Sequence, residues 1–476
     1  MKPFDRGIFI LFDGARPDVF QEMLDAGLLP NLLKHLLPEG KLRTAVAAYP
    51  TVSGPAHLAF MTGCHPGTLN VPGIYWFDRQ AYGRSRLGIG GFRTYLGPFK
   101  IEKMNSDVAP DTPTLADVWP DAAIVFGWYT RGLPGSALLT RWTKAASFVR
   151  GLITKDWLQC DRDAEVKLDL AVESGASMIF AVFPSADEMG HLFGPTSKEV
   201  RDAYLNLDRM VGKLFDRLSR RGEADRTVVM VASDHGQSRT HTHFPLDRFI
   251  SSRLGPTMIY KRFITPLTGI ENVVFPSGNG MANVHFKGRG WTEGRPDLGE
   301  ARYQDLIKDL IKEDAIDSLA WRDADGWIVV LGKQGRARLR EDRGKDGKGF
   351  IEYEALEGEP FGYADLGGRM SFEEVLRATF DTDYPDAPVS LATLMRSPRS
   401  GDLIVNATLG YDLRDWWEYQ EAAGSHGALH REHAQVTVLT NVPLAEGPMR
   451  TVDVYPTLAA LMGRPVPAGV EGSSRA

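Results

Sequence analysis

The sequence IFILFDG, residues 8–14, places an unbroken run of apolar residues directly before an aspartate and a glycine. An apolar run of this length, rich in β-branched residues, is typical of a strand buried on both faces of a sheet. The sequence TVVMVASDHG, residues 227–236, has the same pattern. Further runs of this kind are Ala122–Phe126, Met178–Phe183 and Val436–Leu439. Together they predict the strands of one buried sheet.

Amphipathic stretches with helical spacing lie between these runs, at Val19–Leu37, Asp163–Glu173 and Lys198–Arg220. Strands that alternate with helices favour an α/β fold. We therefore expect a three-layer α/β/α sandwich around a mostly parallel sheet. Ligands of such sheets bind at the carboxyl ends of the strands, and the acidic and histidine residues of this chain fall there.

The stretch from about 248 to 400 has a different pattern and predicts an inserted α+β cap region. It contains hairpin-like pieces at Ala282–Phe286, Gly326–Leu331 and Gly349–Glu354. The polar run Arg336–Gly349 is interpreted as a solvated loop. We expect the α/β pattern to resume at Asp402. Residues 1–247 and 401–476 would then form the catalytic core, and residues 248–400 the cap.

Composition narrows the classes of function. The chain has 476 residues and a net charge of −6, so it offers no basic field for a nucleic acid duplex. Two cysteines predict no disulfide framework. No apolar segment approaches the ~18 residues of a membrane span, and the first residues lack the pattern of a signal peptide. The expected location is therefore the cytoplasm.

Six residues that can bind a metal lie in four short motifs. They are Asp13 in LFDGARPD, Asp187 and His191 in PSADEMGHLFGP, Asp234 and His235 in VASDHGQS, and His426 in GSHGALHREH. Three carboxylates and three imidazoles can form two sets of three ligands. Mixed nitrogen and oxygen ligands suit Zn²⁺, with Mn²⁺ as the alternative. Glycines beside these residues let the backbone approach a ligand closely.

A fifth segment, YPTVSGPAH at residues 49–57, places Ser53 between a predicted strand, Leu42–Ala48, and a predicted helix, Ala56–Met61. The amino end of a helix favours an anion, through its free N–H groups and its dipole. The alternative is that Ser53 or Thr51 merely caps this helix.

The combination of motifs resembles the alkaline phosphatase superfamily, and within it the type I phosphodiesterases and nucleotide pyrophosphatases. The resemblance covers about residues 1–245 and 400–470. The segments that carry it are FDGARPD, PNL at Pro30–Leu32, YPTVSGPAH, FMTG at Phe60–Gly63, DEMGH, SDHG, SHG and TVDVYPTLAALMG at Thr451–Gly463.

This resemblance implies a phosphoester hydrolase that acts on a small molecule with two divalent metal ions. One ion would be held by Asp187, His191 and His426. The other ion would be held by Asp13, Asp234 and His235. Ser53 would lie between the ions as nucleophile and form a phosphoserine intermediate, and the N–H of Gly54 would contact the phosphoryl group.

The chain departs from the type I pattern at two positions. Serine stands where threonine is usual for the nucleophile, which is chemically equivalent. The asparagine that contacts phosphate in the family corresponds to Ile74, and Asn70 lies four residues earlier. Asn70 and the aromatic Tyr75 are therefore only candidates for substrate contact. Sulfatases are disfavoured, because no CxPSR-type motif surrounds Ser53.

Several alternatives stay open at this point. A phosphomonoesterase, a phosphonate hydrolase and a phosphotransferase or mutase would use the same core. A Ser-His-Asp hydrolase is a distant alternative, because the G-x-S-x-G motif is absent around Ser53. A scaffold protein is disfavoured by the complete ligand set. His57 is interpreted as a packing residue or as a support behind the metal ligands. His241 and His243 are interpreted as loop residues, with support of the ligands or substrate contact as the alternative, and His430 and His433 as structural residues.

Overall fold

The computed structural model describes residues 3–37, 42–85, 91–95, 103–140, 143–259, 267–344, 348–364, 366–414 and 422–476. The strands, in chain order, are β1 (Arg6–Phe12), β2 (Arg43–Val46), β3 (Tyr75–Phe77), β4 (Phe92–Thr94), β5 (Ala123–Val125), β6 (Met178–Phe183), β7 (Thr227–Ala232), β8 (Ser238–His243), β9 (Thr257–Ile259), β10 (Asn272–Ser277), β11 (Met281–Phe286), β12 (Ile316–Arg322), β13 (Ile328–Gly332), β14 (Gly335–Arg343), β15 (Gly349–Gly358), β16 (Gly368–Ser371), β17 (Leu403–Ala407), β18 (Gly410–Asp412), β19 (Gly424–Ser425) and β20 (Gln435–Thr440).

The helices, in chain order, are α1 (Pro17–Asp25), α2 (Pro30–Leu36), α3 (Pro55–Thr62), α4 (Arg79–Gly83), α5 (Met104–Asp107), α6 (Leu115–Val118), α7 (Thr143–Thr154), α8 (Trp157–Ser174), α9 (Ser185–Phe193), α10 (Lys198–Arg220), α11 (Leu246–Leu254), α12 (Ala301–Leu310), α13 (Phe372–Thr379), α14 (Ala387–Leu394), α15 (Arg431–Ala434) and α16 (Val454–Leu461).

A six-stranded sheet with the order β2-β20-β7-β1-β6-β5 forms the centre of the fold. The four strands β7, β1, β6 and β5 are parallel, whereas β20 and β2 are antiparallel to their neighbours. The predicted α/β fold with a mostly parallel sheet is therefore confirmed. Its central strands are continuous apolar runs because helices cover both faces of the sheet.

Two phenylalanines of β1 show how both faces are buried. The ring of Phe9 packs on Phe60 of α3, with centroids 4.9 Å apart. The ring of Phe12 points to the other face, where its centroid lies 5.1 Å from Tyr204 of α10. Residues at odd and even positions of a strand face opposite sides, so this one strand separates two helical layers.

The helix predicted at Val19–Leu37 is divided into α1 and α2. Gly27 adopts a left-handed φ of 68°, which ends the first helix, and Pro30 begins the second. The prediction of one helix was wrong because the hydrophobic spacing continues across this break. The predicted helices at Asp163–Glu173 and Lys198–Arg220 lie within α8 and α10.

A second sheet of nine strands has the order β16-β15-β14-β13-β12-β17-β11-β10-β9. The three hairpin-like pieces predicted from the sequence fall on its strands β11, β13 and β15. The prediction of a solvated loop at Arg336–Gly349 is wrong, because residues 335–343 form β14, which pairs with β15. In β14 the buried Ala337 and Leu339 alternate with arginines that pair with glutamates of β15, at 2.6 Å for Arg338 and Glu354.

The strand after Asp402, β17, pairs with β11 and β12 in the second sheet. The expectation that the core pattern resumes at Asp402 is therefore wrong, and the six-stranded sheet continues only at β20. A central strand of an antiparallel sheet that is buried on both faces has the same continuous apolar run as a parallel core strand. The division of the chain at 247/248 and 400/401 stays a prediction.

The sheet arrangement brings the predicted ligand motifs to one edge. Asp13 follows β1, Asp234 follows β7 and α9 follows β6, and these three strands are adjacent and parallel.

In the described residues, Cys64 and Cys160 are free and buried. Within those same residues, no helix combines the length and the hydropathy needed to cross a bilayer.

Candidate functional site

The first group of ligands, here called the His235 cluster, consists of Asp13, Asp234 and His235. Nε2 of His235 lies 3.4 Å from Oδ1 of Asp13 and 3.4 Å from Oδ2 of Asp234. Because β1 and β7 pair in parallel with Leu11 opposite Ala232, the residues that follow the two strands meet at the same edge. The donor atoms of the cluster lie within 4.8 Å of one another.

The second group, here called the His426 cluster, consists of Asp187, His191 and His426. Asp187 and His191 are four residues apart on α9, so they share one face of the helix, with Nε2 of His191 3.5 Å from Oδ1 of Asp187. Nε2 of His426 lies 3.2 Å from Nε2 of His191. The two clusters are adjacent, because the rings of His235 and His426 stack with centroids 3.7 Å apart.

The orientation of the three imidazoles fits metal binding. In each ring the Nδ1 atom lies at hydrogen-bond distance from a backbone carbonyl oxygen: Gly424 for His191 at 2.8 Å, Thr51 for His426 at 2.9 Å and Gly236 for His235 at 3.1 Å. A carbonyl can only accept, so Nδ1 carries the proton and Nε2 presents a lone pair to the cluster. Ligating histidines in proteins are typically held in this way.

The charges of the clusters also fit divalent cations. Burial, followed by the nearby charge of Asp234, raises the pKa of Asp13, and burial raises the pKa of Asp187. Burial, followed by the neighbouring His235, holds the pKa of His426 well below its usual range. Oδ2 of Asp234 is buried, with Nε2 of His57 3.0 Å away. Three buried carboxylates in so small a space favour a bound cation, and the donor set suits Zn²⁺ or Mn²⁺.

Ser53 lies directly before Gly54, the residue that caps α3. Its Oγ is 3.1 Å from Oδ1 of Asp13 and 3.0 Å from Nε2 of His235. Gly54 has a left-handed φ of 93°, and a Cβ at this position would meet the ring of Trp128 at 3.2 Å. A glycine is therefore required here, both for the backbone turn and for the close approach of the Trp128 ring.

Thr51 is turned away from the ligand clusters. Its hydroxyl donates to the carbonyl oxygen of Ala428 at 3.0 Å, and its own carbonyl oxygen lies against Nδ1 of His426. The sequence allowed Ser53 or Thr51 to cap helix α3. Neither side chain does so, because Gly54 occupies the N-cap position.

His57 lies behind the metal ligands, one of the two positions expected for it. Its Nε2 lies 3.0 Å from Oδ2 of Asp234 and 3.4 Å from Oδ2 of Asp13. Burial lowers the pKa of His57, but the charges of Asp234 and Asp13 outweigh it and raise the pKa to about 9. His57 therefore offsets the charge of the two carboxylates and stands behind the cluster, and it is not a base for Ser53.

Gln237 is a residue that sequence reasoning missed. Its side-chain amide donates to the backbone oxygen of Asp187 at 3.0 Å and also to the Asp187 carboxylate. The side chain is completely buried and a Cβ added to Gly190 would overlap it. Gln237 thus fixes the orientation of a ligand in the His426 cluster. The only signal in the sequence is its place two residues after His235.

A cavity of about 480 Å³ opens beside the two clusters, and its lining includes Ser53, Asp13, Asp187, His191 and His426. Of the residues expected to contact substrate, Tyr75 lines this cavity, whereas Gly54 and Asn70 are not among its lining residues. The side-chain Oδ1 of Asn70 accepts a hydrogen bond from the hydroxyl of Ser397 at 2.6 Å, which holds Asn70 against the region predicted as the cap. Further residues at the cavity that the sequence did not single out are Asn105, Trp128, Lys144, Glu188 and Asn279.

The other histidines have structural partners. His243 lies in β8, a strand where a loop was expected, with Nδ1 2.9 Å from Oδ1 of Asp412. His430 caps α15, where its ring accepts from the N–H of Glu432 at 3.2 Å. His433 is buried, with Nε2 2.8 Å from the hydroxyl of Ser238. None of these three lines the cavity beside Ser53.

Solved structures share this fold. Phosphonoacetate hydrolase from Sinorhizobium meliloti 1021, in complex with phosphonoformate, superimposes with a TM-score of 0.57 at 16% sequence identity, covering 96% of this chain and 95% of the other. Murine ectonucleotide pyrophosphatase/phosphodiesterase 5 gives a TM-score of 0.53 at 13% identity, covering 97% and 96% of the two chains.

Curated proteins match over shorter stretches. A pyrophosphatase/phosphodiesterase of Schizosaccharomyces pombe, itself uncharacterized, is 24% identical over 243 residues, which is 49% of this chain and 45% of the relative. Ectonucleotide pyrophosphatase/phosphodiesterase family member 7 of Mus musculus is 34% identical over 67 residues, or 14% and 15% of the two chains. The chain thus matches less than half of the length of these relatives.

The sequence profile of one family matches nearly the whole of the chain, from residue 8 to residue 429. This range contains every member of the two clusters and Ser53. The chain belongs to the type I phosphodiesterase/nucleotide pyrophosphatase family.

Proposed function

We propose that this protein is a two-metal phosphodiesterase that uses Ser53 as its nucleophile and passes through a phosphoserine intermediate. The observation that carries the proposal is the position of Ser53 Oγ, 3.0 Å from His235 and 3.1 Å from Asp13 in the lining of the cavity. A serine hydroxyl placed against metal-competent side chains is the arrangement that in-line phosphoryl transfer requires.

Divalent ions held by the His235 and His426 clusters would lower the pKa of the serine hydroxyl and neutralise charge on the phosphoryl group. Ser53 Oγ attacks phosphorus, forms the new O–P bond and loses its proton, while the bond to the leaving alcohol breaks and that oxygen gains a proton. In the second step, the oxygen of a water molecule bonds to phosphorus while the bond between phosphorus and Ser53 Oγ breaks. Ser53 regains its proton and the phosphate monoester is released. Gly54 has no side chain, so its N–H can approach the phosphoryl oxygens closely.

The residues of this chain hold the reacting groups in place. The carbonyl oxygens of Gly424 and Thr51 fix the rings of His191 and His426, and Gln237 fixes Asp187. His57 offsets the charge of Asp13 and Asp234 from behind. Because these partners are buried, we expect the ligands to keep their geometry before a substrate arrives.

Family membership supports hydrolysis of a phosphoester, and the fold neighbours support both phosphorus–oxygen and phosphorus–carbon substrates. One neighbour is a phosphonoacetate hydrolase in complex with phosphonoacetate, and a variant of murine ectonucleotide pyrophosphatase/phosphodiesterase 5 is described in complex with AMP. A small-molecule substrate follows from the size of the cavity. Zn²⁺ is the ion that we expect, with Mn²⁺ as the alternative.

A second candidate function is hydrolysis of a monoester or phosphonate, and Lys144 favours it. This lysine lines the cavity, where its protonated form could meet the extra negative charge of such substrates. Diester hydrolysis remains our first choice, because the chain has no described arginine at the cavity to clamp a dianion.

We also propose that residues 248–400 form a cap, since Gly278 and Asn279 reach the cavity from the turn between β10 and β11.

The test is a substrate panel assayed on protein that has been treated with a chelator and reloaded with Zn²⁺ or Mn²⁺. The panel contains methyl 4-nitrophenyl phosphate, 4-nitrophenyl phosphate and phosphonoacetate. We expect the highest kcat/KM for the diester and no turnover before metal is restored. Turnover that survives chelation would contradict the metal proposal, and a higher kcat/KM for the monoester would contradict the diesterase proposal.

A further inference from the structure

The turn between β10 and β11 belongs to the second sheet and yet reaches the candidate active site. The turn, residues 278–280, connects two strands that pair in antiparallel register. Its middle residue, Asn279, lines the cavity together with Ser53 and His426. A polar side chain of the second sheet is thus placed where a substrate would bind.

Backbone hydrogen bonds fix this turn against a metal-competent residue. The N–H of His426 donates to the carbonyl oxygen of Gly278 at 2.9 Å, and the N–H of Gly280 donates to the carbonyl oxygen of His426 at 2.7 Å. The carbonyl oxygen of Asn279 itself accepts from the N–H of Leu413 at 2.8 Å. Because the residues before and after Asn279 are both bonded to His426, the position of Asn279 follows that of the His426 cluster.

The two glycines of the turn allow this close approach. A Cβ at Gly278 would lie 2.6 Å from Nδ1 of His426, and a Cβ at Gly280 would lie 2.4 Å from the carbonyl oxygen of His426. These distances are too short for a side chain, so both positions require glycine. Asn279 is therefore the one residue of the turn that can present a functional group.

The backbone at Asn279 is left-handed, with a φ of 63°. Glycine adopts this conformation readily, and asparagine is among the few other residues that tolerate it. The geometry of the turn is thus compatible with either residue. It does not account for an amide side chain in the lining of the cavity that also contains Ser53.

Two other polar side chains in the lining are held by contacts elsewhere. Asn105 donates to the hydroxyl of Thr130 at 3.0 Å and accepts from the N–H of Thr130 at 2.8 Å. Nζ of Lys144 donates to two backbone carbonyl oxygens, at 2.7 and 3.2 Å. Asn279 differs from both, because its neighbours in the turn are bonded to a member of a ligand cluster.

We infer that the side-chain amide of Asn279 donates a hydrogen bond to a phosphoryl oxygen of the substrate, so that the second sheet supplies a substrate-contacting residue. The inference rests on the proposed function for placing the phosphoryl group at Ser53. An amide donor carries no charge, which suits the single negative charge of a diester. The bonds to His426 hold the donor in place before the substrate arrives, and a donor fixed in this way stabilises developing charge most effectively.

The experiment measures binding and does not depend on turnover. Protein loaded with Zn²⁺ is titrated calorimetrically with dimethylphosphinate, an inert monoanion with two phosphoryl oxygens. Asn279→Gly removes the amide and keeps a residue suited to the left-handed backbone. We expect its affinity to fall by at least about tenfold, the effect of losing a hydrogen bond to a charged group, with metal content and thermal unfolding midpoint unchanged. Asn279→Asp keeps the shape but presents a negative charge, and should bind no more tightly than Asn279→Gly.

Asn70→Gly is the matched control, because Asn70 also has a left-handed φ, of 62°, and is not among the residues that line the cavity. It should bind dimethylphosphinate as the wild type does. A smaller loss in Asn279→Gly than expected, or an equal loss in the two glycine variants, would overturn the inference. Loss of metal from Asn279→Gly would also overturn it, because the turn would then act only on His426. The expected binding pattern without any diester turnover would instead contradict only the proposed function.

Discussion

Ser53 Oγ and Nε2 of His235 are 3.0 Å apart, although 182 positions separate the two residues in the chain. His235 follows a central strand of the six-stranded sheet, and Ser53 precedes a helix that packs on that sheet. The contact joins the hydroxyl to a cluster that can hold a metal ion.

Removing the Ser53 hydroxyl should abolish turnover. We expect Ser53→Ala to lower kcat by at least about 10³-fold, because no other described hydroxyl lies against both Asp13 and His235. Metal content and the thermal unfolding midpoint should be retained, and rapid-quench trapping followed by peptide mapping should place the phosphoryl group of the wild type on Ser53. Thr51→Ala is the matched control and should cost less than about tenfold. A phosphopeptide modified at Thr51, or full activity in Ser53→Ala, would identify a different mechanism.

Both ligand clusters should be needed for activity. Asp13→Ala and His426→Ala each remove a ligand from a different cluster, so each should lower kcat by several orders of magnitude. Elemental analysis of active wild-type protein should give two divalent ions per chain, and each variant should retain fewer. Active protein without stoichiometric metal would show that the clusters have another role.

Gln237→Leu should weaken metal binding without changing any ligand. The leucine keeps the approximate volume of the side chain but cannot donate to Asp187, whose carboxylate is then free to rotate. Losses of about 10- to 100-fold in metal affinity are typical for such a partner. Chelator competition measures the change. Gln21→Leu, at an exposed hydrogen bond to Asp25 on α1, is the control and should bind metal as the wild type does.

The stability of the protein should depend on pH through Lys144. Burial lowers the pKa of this ammonium from 10.5 to about 7, although its Nζ donates to the carbonyl oxygens of Phe126 and Gly127. Between these two values the unfolded chain binds one more proton at this position than the folded chain does. The free energy of unfolding therefore rises with pH across this window because of Lys144.

The measurement is urea denaturation of wild type and Lys144→Met at pH 6.5 and pH 9.5, with the same metal content. We expect the wild type to gain stability relative to the variant as the pH rises. Lys213→Met, an exposed lysine beside Glu165, controls for the loss of a surface charge. A relative stability that falls with pH would show that the folded state holds the Lys144 proton more tightly than proposed.

Much of the fold could be predicted from local patterns in the sequence. The continuous apolar runs before Asp13 and Ser233 predicted the central strands, because a strand that is buried on both faces has apolar residues at successive positions. The metal-competent residues could be singled out as well, because they stand in short motifs that follow β1, β6, β7 and β19. The break at Gly27 was missed because the hydrophobic spacing continues across it. The strand after Gly335 was missed because its few buried residues alternate with charged side chains.

The amino-acid sequence by itself determined the class of fold, the metal-competent residues and the position of Ser53 at the start of a helix. Only the tertiary structure decided which sheet contains Leu403–Ala407 and that Asn70 bonds to Ser397 away from the cavity. It also decided that Gln237 holds Asp187 and that Trp128 and Lys144 line the cavity with Ser53. The physical reason is the range of the interactions. Strand and helix patterns depend on neighbours a few residues away, whereas a cavity is formed by side chains that are distant in the chain and adjacent only after packing.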